Sequence, residues 1–320
     1  MGWNDEWSAD GDYSANSVVR YECNVYKAKS AVTDIGSYVG ETSFLNSAEG
    51  ITNDGTYLYI TNSWDTGDSI QKVLMSDLSY VDEMGTEGTG DNQFNFPMGI
   101  TNDGTYLYIC DTYNNRIKKH KCSDLSYVDE IGTQGTGNDQ FYHPYGITTD
   151  GTYLYICDTN NDRIKKHECS DLSYVNEIGT QGTGNDQFNA PYGITTDGTY
   201  LYICDKDNDR IKKHECSDLS YVNDISGDQF DQPDGVTTDG TYLYITESIY
   251  HSPIKKYKCS DLSYVSQKNI NWGYINDISY DGAYLYFSNG GQLKKHYITD
   301  PPLMNVSDWQ KLTGGISCNF

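Results

Sequence analysis

The segment Asp150-Gly151-Thr152-Tyr153-Leu154-Tyr155 decides the fold, because the pattern Asp-Gly-(Thr/Ala)-Tyr-Leu-Tyr occurs six times in the 320 residues. Its aspartates are Asp54, Asp103, Asp150, Asp197, Asp239 and Asp281, so the steps between copies are 49, 47, 47, 42 and 42 residues. A period of that length that contains several short strands is typical of an array of similar sheets.

One unit, Pro144 to Ala190, shows what each sheet contains. Its β-prone runs, separated by turn residues, predict four strands at 146–149, 153–156, 163–167 and 174–178. The Asp150-Gly151 dipeptide predicts a two-residue hairpin turn with positive φ. Four antiparallel strands per unit, repeated around an axis, predict an all-β protein with the β-propeller fold, whose 30 tyrosines pack between blades.

The central units also carry a family signature. The segments Asp111 to Ile117 and Asp158 to Ile164 resemble the Asp-Thr-x-Asn-Asn-Arg-Ile signature of NHL repeats, with Asp162 in place of the second asparagine. The connection from Gly132 to Gly146 is similar to the inter-blade linker of that family. The likeness weakens at Asp205 to Ile211 and is largely lost in the last two units. This resemblance implies a β-propeller and, by analogy, an interaction platform.

The chain ends determine the expected number of blades. Ser17 to Cys23 aligns with Arg116 to Cys122, and Gly314 to Asn319 resembles a first strand. We therefore expect one propeller domain over 1–320 with seven blades, the first shared between about 3–44 and 314–320. Pairing of the N- and C-terminal strands would close the ring and leave no open sheet edge. Six blades, one for each Asp-Gly hairpin, is the alternative.

The near-identical units differ most just before their first strand. In a propeller this linker returns from the outer strand to the axis, so the variable side chains are predicted to surround one mouth of the central channel. The predicted ligand-binding residues at this rim are Glu49, Phe96, Met98, His143, Tyr145, Tyr192, Asp234 and Asn276. The alternative interpretation is that these positions are exposed and drift without a role.

Composition restricts the partners. The formal charge of −24, from 46 acidic and 22 basic residues, disfavours nucleic acid because phosphate groups would be repelled. No apolar run is long enough to span a membrane, and the acidic N-terminus shows no secretory signal. The sequence leaves the location and the oligomeric state open.

Nine cysteines, an odd number, mostly occupy two repeat positions, as Cys157 and Cys169 do in one unit. Equivalent positions in successive blades are usually too far apart for a disulfide. We therefore expect buried free thiols, which favour a reducing compartment or a virion as the location.

Two residue sets that suggest metal chemistry also admit a structural interpretation. One repeat position carries a histidine in four units, namely His120, His167, His214 and His296. Because Tyr257 takes this position in another unit, we expect packing rather than metal ligation there. The Asp-rich turn from Asp158 to Asp162 could suggest calcium, but its spacing is not that of an EF-hand. Capping of the turn by local hydrogen bonds is the favoured interpretation.

Together these features favour a non-enzymatic binding or scaffold module for a protein or glycan, with Tyr145 and Tyr192 as anchors. The first alternative is a structural component of a virion, fibre or cell surface. The second is a metal-dependent hydrolase or lyase at the channel mouth, with candidate groups in Glu49, Asp234, Asn276, Asp277 and His143. No cofactor is predicted, although a divalent cation is compatible with the carboxylates. No Ser-His-Asp order, HExxH run or phosphate loop supports an enzyme.

Overall fold

The computed structural model describes residues 18–21, 24–28, 38–42, 45, 47–63, 67–227, 229–250, 253–269, 273–297 and 309–311. The chain divides into two compact units, which are residues 1–39 with 296–320 and residues 40–295. None of the described residues belongs to a helix long and apolar enough to cross a bilayer.

The described residues form six four-stranded sheets, here called blades I to VI, with each blade given from its inner to its outer strand. Blade I consists of Ala48–Asn53, Tyr57–Asn62, Ser69–Leu74 and Tyr80–Met84. Blade II consists of Pro97–Asn102, Tyr106–Asp111, Arg116–Lys121 and Tyr127–Ile131. Blade III consists of Pro144–Thr149, Tyr153–Asp158, Arg163–Glu168 and Tyr174–Ile178.

The other three blades follow the same order. Blade IV consists of Pro191–Thr196, Tyr200–Asp205, Arg210–Glu215 and Tyr221–Ile225. Blade V consists of Pro233–Thr238, Tyr242–Glu247, Pro253–Lys258 and Tyr264–Asn269. Blade VI consists of Asp277–Tyr280, Tyr284–Asn289 and Gln292–Tyr297, with Tyr38–Thr42 as its outer strand.

The expectation of seven blades is wrong for the described residues, which give the alternative number, six. Among the described residues the last repeat supplies three strands, and the N-terminal strand Tyr38–Thr42 completes that blade. The other described strands near the chain ends, Val18–Tyr21, Asn24–Ala28 and Trp309–Lys311, form a separate three-stranded sheet. The predicted inner strand at Gly314 to Asn319 lies outside the described residues.

Blade III has the four strands predicted from its sequence, but its first turn differs from the expected two-residue hairpin. The loop contains three residues, Asp150 to Thr152, and Gly151 has a φ of 88°. The Asp150 carboxylate accepts the backbone N–H groups of Thr152 and Tyr153, each at 2.8 Å. The aspartate side chain therefore organises the turn, in the way that Asx turns do.

The inner strands lie side by side around an axis and return to their starting point. Each contacts the inner strands of the blades before and after it, including the pair formed by blades VI and I. At that last contact the Ile51 N–H donates to Asp277 at 3.0 Å, and the Asn53 amide donates to the Ser279 hydroxyl at 3.0 Å. The six blades therefore form a closed ring.

A lysine on the third strand connects each of several blades to the next. In blade III the Lys166 ammonium donates to the Cys216 carbonyl at 2.7 Å and stands 4.0 Å over the Tyr153 ring. Lys295 makes the corresponding bond to the Met75 carbonyl at 2.9 Å and so connects blade VI to blade I. The same bond to the following blade is made by Lys72, Lys119 and Lys213.

The Asp-rich turn holds a buried ion pair. The Arg163 Nε donates to Asp158 at 2.7 Å, and both side chains are buried. The other Asp158 oxygen accepts the Tyr142 N–H at 2.6 Å, and Arg163 also donates to the Thr136 carbonyl at 2.8 Å. The pair therefore fastens the incoming Gly-rich linker to the blade. Blades II and IV repeat it as Asp111–Arg116 and Asp205–Arg210.

The repeated cysteines and histidines are part of the core. Seven described cysteines are free and buried. The His167 Nδ1 lies 2.8 Å from the Leu172 carbonyl, and burial lowers the pKa of the imidazole to about 4, so the ring is neutral. The ring also packs against Phe141 and Tyr174. The corresponding residues His120 and His214 have the same environment.

Candidate functional site

The axis is built from glycines that allow backbones to touch. A Cβ atom on Gly50 would lie 2.2 Å from the Met98 carbonyl oxygen, and one on Gly146 would lie 1.9 Å from the Tyr192 carbonyl oxygen. Such distances exclude any side chain at these positions. Each glycine therefore brings two inner strands together and places the preceding residue at the mouth of the channel.

A cavity of about 130 Å³ lies at this mouth. Six of the eight predicted rim residues line it, one from each blade: Glu49, Met98, Tyr145, Tyr192, Asp234 and Asn276. The aligned glycines and the isoleucines that follow them complete most of the wall. The positions that vary between the repeats therefore meet in one place.

One side of the cavity is acidic. The Glu49 carboxylate accepts hydrogen bonds from the Ser47 and Ser63 hydroxyls at 3.2 and 3.4 Å. Burial raises its pKa to about 7, the two serine bonds oppose that rise, and the charge of Asp234 adds to it. Glu49 is therefore poised to change its charge near neutral pH.

A second carboxylate takes the place of a glycine. Asp277 aligns with Gly50 and Gly146 at the start of its inner strand. It accepts the backbone N–H groups of Ile51 at 3.0 Å and Ile278 at 2.8 Å. Burial raises its pKa to about 7; these hydrogen bonds oppose the rise, and the charges of neighbouring carboxylates add to it. Asp277 is thus the one inner-strand position in the described ring where a carboxylate replaces the usual glycine.

The third carboxylate has a cationic partner. The Lys206 ammonium lies 3.1 Å from Asp234, which also accepts the Ser248 hydroxyl at 2.7 Å. Burial raises the pKa of Asp234, and the charge of Lys206 opposes that rise. Lys206 is not among the site residues predicted from the sequence, although the corresponding residues in blades II and III are Thr112 and Thr159. The change from threonine to lysine at this repeat position is the sequence feature that could have identified Lys206.

The opposite side of the cavity is aromatic. The Tyr145 and Tyr192 rings stack with centroids 4.4 Å apart and an interplanar angle of 29°. The Lys206 ammonium stands 3.9 Å over the Tyr192 ring, a cation–π distance. Burial raises the pKa of both hydroxyls, so both tyrosines are neutral.

The two other predicted rim residues lie in a different cluster. Phe96 and His143 both stack on the Tyr113 ring, with centroids 4.5 and 4.9 Å from its centroid. The Tyr142 ring contacts His143 in a tilted arrangement, with centroids 4.8 Å apart, and the Asn160 amide lies 2.8 Å from the His143 Nδ1. Phe96 and His143 are not among the residues that line the axial cavity.

Within the described residues, no three His, Cys, Asp or Glu side chains are arranged to hold a metal ion. The carboxylates of Glu49, Asp234 and Asp277 therefore line the cavity but are not arranged as ligands to one metal ion. Their chemistry is that of hydrogen-bond acceptors and negative charges beside two aromatic rings.

No family model and no curated protein matches the chain. Several solved structures are similar in fold. The Cps50 (Swd1) β-propeller domain of Myceliophteria thermophila is 10% identical with a TM-score of 0.55, and the match covers 83% of this chain and 99% of that one. A catalytically inactive virginiamycin B lyase from Staphylococcus aureus, solved with quinupristin, is 16% identical with a TM-score of 0.57, covering 83% and 100%.

A functionally unknown protein from Desulfotomaculum acetoxidans is 16% identical with a TM-score of 0.51, and the match covers 80% of this chain and 86% of that one. Identities this low show the fold alone. The chain is an all-β β-propeller with four-stranded antiparallel blades.

Proposed function

We propose that this protein is a non-enzymatic, NHL-like binding module that recognises a protein or glycan at the mouth of its axial channel. One observation carries the proposal: the variable position of each of six otherwise similar blades lines the same cavity. A rigid ring presents these side chains, and such scaffolds commonly position binding residues in this way. The NHL-like assignment rests on the Asp-Thr-x-Asn-Asn-Arg-Ile signature.

The aromatic pair is the expected anchor. Tyr145 and Tyr192 present flat apolar surface beside carboxylates that accept hydrogen bonds, a combination suited to a polar partner with an apolar body. Neither tyrosine takes part in the lysine hydrogen bonds that connect successive blades or in the buried Asp–Arg ion pairs. Their truncation should therefore affect recognition more than folding.

A panel of immobilised oligosaccharides and peptides, probed with the purified protein, tests this function. We expect Tyr145→Ala and Tyr192→Ala each to weaken the panel interactions by about ten-fold or more, as for a hot-spot aromatic. Tyr80→Ala is the matched control, because Tyr80 is exposed on the outer strand of blade I. If both variants bind the panel ligands as strongly as the unsubstituted protein does, the axial mouth is not the recognition site.

A further inference from the structure

The mouth of the channel has more negative than positive groups. Three carboxylates, those of Glu49, Asp234 and Asp277, line it, and none of the described lining residues is cationic. Among the described residues, Lys206 forms an ion pair with Asp234, but no ion pair joins a cation to Glu49 or Asp277. Their hydrogen-bond partners are serine hydroxyls and backbone N–H groups, which are neutral.

The protein itself shows which group this environment accepts. The Lys206 ammonium lies between a carboxylate at 3.1 Å and the face of Tyr192 at 3.9 Å. Ammonium groups are attracted to both, since the carboxylate is an anion and the ring face is negative. Tyr145, stacked on Tyr192, extends the aromatic wall of the cavity that Glu49 and Asp277 also line.

We propose that the axial cavity binds an alkylammonium group, the end of a lysine side chain presented by a protein partner. This rests on the proposed function and chooses the protein over the glycan as its ligand. Glu49 and Asp277 would supply the negative charge, and Tyr145 the aromatic face. The volume of about 130 Å³ suits one side-chain end rather than a folded segment. The net charge of −24 would attract basic partners at long range.

The probe is Nα-acetyl-lysine methylamide, with its Nε-acetylated form as the neutral counterpart. Calorimetric titration at pH 8 should show binding of the first and at least ten-fold weaker binding of the second. Glu49→Gln and Asp277→Asn should each weaken lysine binding by about ten-fold, the loss expected for one charged hydrogen bond. Asp139→Asn removes the same charge from an exposed linker position and should leave the affinity unchanged.

The pH profile gives a second readout. The ionisable groups at the cavity are Glu49, Asp234, Asp277, Lys206 and the two neutral tyrosines. Because the pKa values of Glu49 and Asp277 are raised to about 7, lowering the pH from 8 to 6 protonates them and should weaken binding. The Glu49→Gln/Asp277→Asn double variant should lose most of this dependence. Thermal melting of every variant identifies any that is not folded.

Several outcomes would overturn the proposal. These are equal binding of the acetylated probe, absence of lysine binding at millimolar concentration, or affinities that Glu49→Gln and Asp277→Asn leave unchanged. A glycan that requires Tyr145 but neither carboxylate would also overturn it, while leaving the proposed function intact. Conversely, if no panel ligand requires Tyr145 or Tyr192, the broader function fails regardless of the lysine result.

Discussion

At the scale of single residues, two kinds of glycine serve different purposes in each repeat. Gly146 stands where a Cβ would lie 1.9 Å from the Tyr192 carbonyl oxygen of the next blade. Gly151 stands in a turn with a φ of 88°, and a Cβ there would meet no atom within 4 Å. The first glycine is required by space and the second by backbone conformation.

These roles predict different costs for the same substitution. Gly146→Ala should lower the free energy of unfolding by about 3 kcal/mol, because two inner strands must separate to admit the methyl group. Gly151→Ala should cost about 1 kcal/mol, the strain of a left-handed conformation at a non-glycine residue. Urea denaturation of the two variants measures both values. Equal losses would show that the inner strands are not packed as closely as described.

The sequence predicted six residues of the cavity because the near-identical units align without ambiguity. It could not separate Phe96 and His143 from them, since nothing in the residue types signals their backbone φ values of 53° and 49°. In that left-handed conformation both side chains stack on Tyr113. The ion pair between Lys206 and Asp234 of the next blade likewise depends on a proximity in space that the spacing in the sequence does not reveal.

At the scale of elements, the buried Asp–Arg pair joins the Gly-rich linker to a strand. Asp158 and Arg163 are both buried, and each also binds the Gly-rich linker that enters blade III. The sequence favoured capping of this turn by local hydrogen bonds, whereas Asp158 makes no side-chain capping bond and pairs with Arg163 instead. The residues lie on opposite sides of a short 3₁₀ turn, Thr159–Asn161, whose conformation brings them together.

Removing one partner should therefore be far more costly than removing an exposed neighbour. We expect Arg163→Met to lower the free energy of unfolding by about 3–5 kcal/mol, because Asp158 is left buried without its cation. Adding Asp158→Asn should recover part of this loss. Glu177→Gln removes another Arg163 partner, at 3.0 Å and 33% exposed, and should cost less than about 1 kcal/mol. Chemical denaturation of these three variants and the unsubstituted protein measures the losses. An Arg163→Met variant as mild as Glu177→Gln would contradict the role of the buried ion pair.

At the scale of the whole ring, closure depends on the contact between the last and first blades. The repeat predicted a closed propeller, but the number of blades depended on chain ends whose degraded repeats admit more than one pairing. Tyr38–Thr42 completes blade VI as its outer strand, the position that the repeat's own fourth strand takes in the other five described blades. The Lys295 ammonium donates to the Met75 carbonyl at this contact, just as Lys166 donates to the Cys216 carbonyl between blades III and IV.

A closed ring has no terminal blade. We therefore expect the contact between blades VI and I to contribute as much to stability as the contact between blades III and IV. Lys295→Met and Lys166→Met each remove a buried ammonium donor from a carbonyl of the next blade, so each should lower the free energy of unfolding by about 2 kcal/mol. Because all six inner strands are joined in a circle, both losses should appear in one cooperative transition rather than as fraying of blade VI. Hydrogen exchange of the inner-strand amides in both variants measures this. In an open array Lys295→Met would release the protection of blades VI and I alone, whereas in the ring the amides of blade III lose protection to the same extent.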